Sequence, residues 1–227
     1  MHLESVHIGV HPLWQLYGWT FHSDTLISAW IVTAVLIIFA VFVRTILKIR
    51  PGLLQSTVEL GAESLDGMLI ERMGEKGRKY FPFVATLFLF IITSNWLGVL
   101  PFELKPPTAD INTTAGLALL TIILVQAFGM IDKGPISYFK RFFQPNPVFF
   151  PLNVIEELAK PLSLSVRLFG NIFGKETIIV ILSGLVALPL FYPIPILALS
   201  LLIGAIQAYI FMLLAIFYIS MALQEGH

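Results

Sequence analysis

Of the 227 residues, 57% are hydrophobic and only 12% charged, and the mean hydropathy of +0.86 excludes an ordinary soluble domain. Fourteen Lys and Arg balance fourteen Asp and Glu, so no global field argues for nucleic acid or an anionic partner, and charge must act through its placement. The absence of cysteine excludes a disulfide framework, a thiolate nucleophile and a sulfur-held metal or cluster.

The composition predicts an all-α polytopic membrane protein, and the chain read in order gives five membrane segments with amphipathic interfacial helices between them. Residues 1–24 form an outer interfacial segment. Trp14, Tyr17, Trp19 and Phe21 are rings that settle at headgroup level. His7 and His11 share a helical spacing, but no acid stands beside them at metal-site spacing, so they read as surface residues and no metal or cofactor is expected. No positively charged stretch precedes the first apolar run, so no cleaved signal peptide is read.

Residues 25–50 hold the first span, with the uncharged run Leu26–Val43 about as long as a helix needs to cross the hydrocarbon. Arg44, Lys48 and Arg50 follow it. Basic flanks favour the inner side, which puts the N-terminus outside. Pro51 and Gly52 break the helix. In residues 51–79, Leu54, Val58, Leu65, Met68 and Leu69 recur at helical spacing among acids and bases, predicting an amphipathic helix on the inner surface.

Residues 80–147 hold two spans, the outer loop between them and a basic aromatic inner connector. Asn95 is the strongly polar side chain of the outgoing span Tyr80–Leu100. It reads equally as part of a polar path and as an amide satisfied by a neighbouring helix. In the proline-rich loop after it, Glu103 and Asp110 read as solvated loop charges, with attraction of cations to an opening as the alternative. The returning span is Gly116–Ile131, and Asp132, Lys133, Lys140 and Arg141 follow among phenylalanines.

Residues 148–227 differ from the rest. Leu152 to Leu188 reads as one helix of roughly 55 Å, and Leu197 to Leu223 as another of roughly 40 Å, against a bilayer core of about 30 Å. Both exceed a perpendicular crossing, which predicts a strongly tilted helical hairpin. Five crossings place the C-terminus inside. Nothing repeats at a fixed period, which argues against an inverted-repeat transporter.

The first long helix carries a charge in the wrong solvent. With Arg167 at zero and 100° per residue, Lys160 falls at about +20°, Ser163 at about −40°, Asn171 at about +40°, Gly174 at about −20° and Glu156 at about −20°. One face therefore holds cation, hydroxyl, guanidinium and amide, with small residues that admit another surface. Glu176 falls at about 180° and looks the other way. An arginine at the bilayer centre costs roughly 3 kcal/mol on insertion scales, so such a group is a functional candidate by default. Arginine keeps its charge when desolvated, and its planar fork matches a carboxylate, which suits a permanent countercharge. In the last helix the strongest polar feature is Gln207, with Ser200 two turns earlier; a packed amide is its structural alternative.

The stretches PLSLSVRLFGNIFGKE and IQAYIFMLLAIFYISMA, with PTADINTT and the EELAKP lead-in, resemble the subunit a family of the rotary F-type ATP synthases. The resemblance covers roughly residues 80–224 and reaches the N-terminal part only in layout; RLFGN in this setting is highly specific. It implies a stator subunit in a cell inner membrane, itself without ATP chemistry and without a cofactor. Such a subunit lies beside a ring of c subunits and works with b subunits of the peripheral stalk, the remaining synthase subunits and the lipid bilayer. Two offset half-channels would pass protons or sodium ions to and from the c-ring carboxylates. By position Arg167 matches the essential countercharge. Asn171, Glu176 and Gln207 match residues of the outer half-channel and the arginine's surroundings, while Lys160, Ser163, Glu156 and Glu157 lie toward the inner one. Gly98 and Ser200 stand where many members carry an acid and a histidine, which shifts weight in the outer path to Glu176.

Two rival readings exist. A self-contained secondary ion transporter or channel would also use an intramembrane arginine, and would pass ions as the purified chain alone. An intramembrane enzyme lacks support, because the spans contain no histidine or cysteine, no serine with a paired base and no metal cluster.

Overall fold

The computed structural model describes residues 13–16, 19–48, 51–98, 106–143, 146–185 and 193–223. Among the described residues there are seven α-helices, α1 Ser23–Ile46, α2 Leu53–Met73, α3 Phe81–Leu97, α4 Ile111–Lys133, α5 Pro135–Lys140, α6 Phe150–Leu185 and α7 Pro193–Leu223, with short 3-10 turns between α2 and α3, α3 and α4, and α5 and α6. The protein is all-α and polytopic. Before α1 stands a short antiparallel ribbon, β1 Leu13–Leu16 with β2 Trp19–His22, in which Trp14 faces Phe21. Interfacial aromatic content was legible in this segment; the strand pairing was not.

By length and composition, four described stretches are apolar enough to cross a membrane: Ser23–Ile46, Leu53–Leu97, Ile111–Lys133 and Leu197–Leu223. At 1.5 Å per residue, the 36 residues of α6 span about 54 Å and the 31 residues of α7 about 46 Å. Pro161 sits inside α6 without ending it.

The core is built where α3, α4, α6 and α7 meet. Leu87 and Ile91 of α3, Ala118 and Ile122 of α4, Leu164 and Leu168 of α6, and Phe211 of α7 form one buried cluster. A second cluster lies toward the end of α7, where Leu65 and Leu69 of α2 and Val84 meet Met212, Ile216 and Ile219. Helix α6 packs chiefly on α4 and α3 chiefly on α7, while α6 and α7 touch more lightly. Small residues at these contacts let backbones approach. A Cβ added at Gly204 would lie 3.1 Å from the Asn95 Cβ, so the glycine lets α7 close on α3.

Helix α1 buries only Ser23, Thr25, Ser28 and Val32, leaving Trp30, Ile38 and Val41 exposed as lipid or partner surface. Its junction with α2 is fixed by one side chain. Gln55 Nε2 donates to the Lys48 carbonyl at 2.9 Å, and Gln55 Oε1 accepts from the Lys48 N–H at 3.0 Å. Where α2 and α4 end together, Asp132 accepts from Lys79 and from the Tyr80 hydroxyl, the latter at 2.6 Å.

Candidate functional site

Arg167 lies at one edge of the broad exposed face of α6. Leu158, Leu162, Val166 and Phe173 form an apolar stripe on the rest of that face, about 100° or more around the helix from Arg167, and on α7 Ile206, Tyr209, Leu213 and Phe217 form a second apolar stripe. Both stripes follow from helical spacing, since residues three and four apart share a face. Among the described residues Arg167 has no carboxylate partner. Ser163, four residues earlier, is exposed beside it. Added Cβ atoms at Gly170 and Gly174 would meet nothing within 4 Å among the described residues.

Two polar regions flank the arginine. In the first, Lys160 and Glu157 come together: Lys160 Nζ donates to Glu157 Oε2 at 2.7 Å, and these side chains are only 11% and 18% exposed. Lys160 also stands 5.5 Å from the centre of the Tyr218 ring, a cation–π contact that accommodates a charge away from water. Glu156, Glu157 and Arg167 all act electrostatically on Tyr218, which places it among them. Sequence reasoning missed three members of this region. Gln126 of α4 donates through Nε2 to Glu157 Oε1, and Tyr138 of α5 donates through its hydroxyl to Gln126 Oε1. Tyr218 is the third. The partners lie 31 and 12 residues apart, so no local periodicity could have joined them.

The second region is a seam of buried polar groups. Asn95, fully buried, donates to the Gly204 carbonyl at 3.2 Å and accepts from Thr108 Oγ1 at 3.1 Å. Its bond to Gly204 runs between helices, as those of intramembrane amides commonly do. Thr114 Oγ1 and Ser165 Oγ lie 3.4 Å apart between α4 and α6. Ser200 is buried. Ser28, Ser94, Asn171 and Gln207 each bury a polar atom that has no hydrogen-bond partner among the described residues. Orphaned buried groups require an explanation. Asn171 and Gln207 thus share an unsatisfied amide nitrogen on the two helices that carry the exposed stripes. Glu176 belongs to α6, with its side chain outside the described residues, as is all of Glu103.

Asp110 overturns an expectation. It is not a solvated loop charge but is only 5% exposed. The cause is local: it caps α4, accepting from the Asn112 N–H at 2.9 Å, as the first turn of a helix requires. Its other oxygen faces His22 Nδ1 at 2.5 Å and Thr25 Oγ1 at 3.4 Å. The buried carboxylate therefore joins the ribbon, α1 and α4 at one end of the molecule.

Among the described residues no cluster of His, Asp or Glu is arranged to hold a metal. What the geometry does supply is a charge without a carboxylate partner among the described residues, with a polar region on each side.

Comparison with known proteins agrees with the stretches that carried the resemblance. The family model described as ATP synthase A chain matches residues 26–220. The chain is 44% identical over 219 residues to ATP synthase subunit a of Moorella thermoacetica, covering 96% of this chain and 94% of that protein. It is 42% identical over 235 residues to the chloroplastic ATP synthase subunit a of Oedogonium cardiacum, covering 99% and 92%. With the apolar helices, the exposed arginine and these matches together, the chain belongs to the ATP synthase A chain family and is a multi-pass membrane protein.

Proposed function

We propose that this protein is the stator subunit of the ATP synthase membrane sector and works as a complex with the other synthase subunits. In this reading it faces a ring of c subunits, is held by b subunits, and provides two offset half-channels for protons or sodium ions. The observation that carries it is Arg167: an exposed guanidinium at the edge of an apolar face, with no carboxylate partner among the described residues. Such a cation is complete only when another chain brings the acid to it.

The physics of that meeting gives a mechanism. At about 4 Å and an effective dielectric near 20, the pair attracts by about 4 kcal/mol, enough to hold an arriving carboxylate ionised. The charged carboxylate cannot pass on into lipid, so it must first take up an ion from one half-channel, and rotation becomes directional. Each charge that crosses gains about 2.3 kcal/mol per 100 mV, so several crossings must be combined for one ATP.

The polar seam of Ser200, Asn171 and Gln207, with the buried hydroxyls around Asn95, supports an outer path, to which Glu176 contributes its acid. Lys160, Ser163, Glu156 and Glu157 support an inner one. Five membrane segments, with residues 148–227 as a tilted hairpin, put the N-terminus outside a cell inner membrane and the C-terminus in the cytoplasm. Arg44, Lys48, Lys140 and Arg141 would then lie inside, as basic flanks prefer. The remaining division is an outer segment 1–24, a first span 25–50, an inner-surface helix 51–79 and a two-span unit 80–147.

Arg167→Ala in the assembled complex is expected to abolish ion-driven ATP synthesis in liposomes. Synthesis at the normal rate would overturn the mechanism. The purified chain alone should pass few ions; rapid flux without partners would favour a self-contained transporter.

A further inference from the structure

We infer that Gln126 and Tyr138 are positioning residues that hold Glu157 for ion exchange on the inner path, and that the Gln126 amide closes the route from Glu157 toward α5. The inference rests on the inner-path role proposed for Glu157.

The geometry assigns each hydrogen bond a direction. Tyr138, with its hydroxyl hydrogen and only 2% exposure, donates to Gln126 Oε1. That bond occupies the amide oxygen and turns the NH2 toward Glu157, so Gln126 Nε2 can only donate, and Glu157 Oε1 accepts. Glu157 Oε2 accepts from Lys160 Nζ at 2.7 Å. Both oxygens of the carboxylate are therefore held, from two different helices. Among the groups near Glu157 are Lys160 on α6, Gln126 of α4 with Tyr138 behind it, and Tyr218 of α7, which also lies within electrostatic reach of Glu156 and Arg167.

Gly129 makes the arrangement sterically possible. A Cβ there would lie 2.4 Å from Tyr138 Cε2, so the missing side chain is the space in which the ring lies against α4. Without that space the hydroxyl could not reach Gln126, three residues earlier on the same helix.

The chemistry of the tether separates holding from conducting. A hydroxyl, a water or a carboxylate can accept a proton and pass another on. An amide nitrogen donates but does not accept, so a proton on Glu157 finds no exit through Gln126. Its exits are the groups beside Lys160 and Tyr218, on the side of Arg167. Gln126 thus fixes the carboxylate and insulates it.

The test uses assembled complexes in liposomes, with ATP-driven transport followed by a potential-sensitive dye that responds to either ion. Four variants are compared: Gln126→Leu, Tyr138→Phe, Glu157→Gln and Gln126→Leu with Glu157→Gln. Loss of positioning should slow Gln126→Leu on the order of tenfold. Its pH profile should also move, because the variant removes the amide donor that holds Glu157 Oε1. In the Glu157→Gln background, Gln126→Leu should slow transport no further, since it acts through that carboxylate. Tyr138→Phe removes one oxygen and keeps the packing, so it decides the matter if Gln126→Leu fails to assemble; it too should shift the profile. Additive slowing in the double variant, or an unmoved pH profile in Tyr138→Phe, overturns the inference while the inner path stands. Glu157→Gln transporting at the normal rate removes the inner-path role of Glu157 and this inference with it.

Discussion

Replacing Asn95 by leucine separates a packed amide from a station on the ion path. The side chain is completely buried and makes two hydrogen bonds, to the Gly204 carbonyl at 3.2 Å and with Thr108 Oγ1 at 3.1 Å. Interhelical hydrogen bonds within membranes are worth about 0.6 kcal/mol on average and at most about 1.7. Losing both should therefore cost about 1–3 kcal/mol, and crowding by the larger leucine at this tight contact adds to it. The Gly204 carbonyl already sits in a helix, so its loss is mild, while the Thr108 hydroxyl is left without an acceptor. A double variant tests that division: Thr108→Val in the Asn95→Leu background should cost less than it does alone, because the two groups share a bond. Unfolding of the purified chain in mixed micelles of rising sodium dodecyl sulfate measures the cost, and transport by the assembled complex provides the second reading. The reasoning predicts reduced stability with transport retained in the complexes that assemble. Unchanged stability together with lost transport would refute it and place Asn95 on the path.

Asp110→Ala removes a helix cap, expected to cost about 0.5–2 kcal/mol, and leaves His22 and Thr25 without their shared acceptor. Hydrogen exchange should accelerate in the first turn of α4 and around His22 together, whereas exchange confined to α4 would deny the junction its role. Glu176→Gln should slow ion transport from the outer side more than from the inner side. Equal rates in both directions would remove Glu176 from the outer path.

The sequence made the large elements legible because bilayer solvation acts on every residue of a span. Ser23–Ile46 extends the sequence-derived run Leu26–Val43 by three residues at each end, and the apolar stretch Leu197–Leu223 coincides with its sequence-derived bounds. Arg167 was legible for the opposite reason: a cation in an apolar run conflicts with its surroundings, and such conflict marks function. The partners of Glu157 were hidden, because Gln126 and Tyr138 become significant only once α4, α5 and α6 are packed. Asp110 was different, since its signal was present. An acid directly before an apolar helix is a cap signature, and the loop's prolines drew attention away from it. The strand pairing before α1 had only a short alternation of rings to announce it.

The exposed face that carries Arg167 has a consequence for biogenesis. A newly inserted copy with no neighbour turns a guanidinium toward acyl chains, which must thin or admit water to solvate it, at roughly 3 kcal/mol on insertion scales. Under the proposed function, a partner that brings a carboxylate to Arg167 would relieve that strain in the lipid. The orphan chain would then be the less stable species in the bilayer, and Arg167 would mark a subunit that has not yet found its complex.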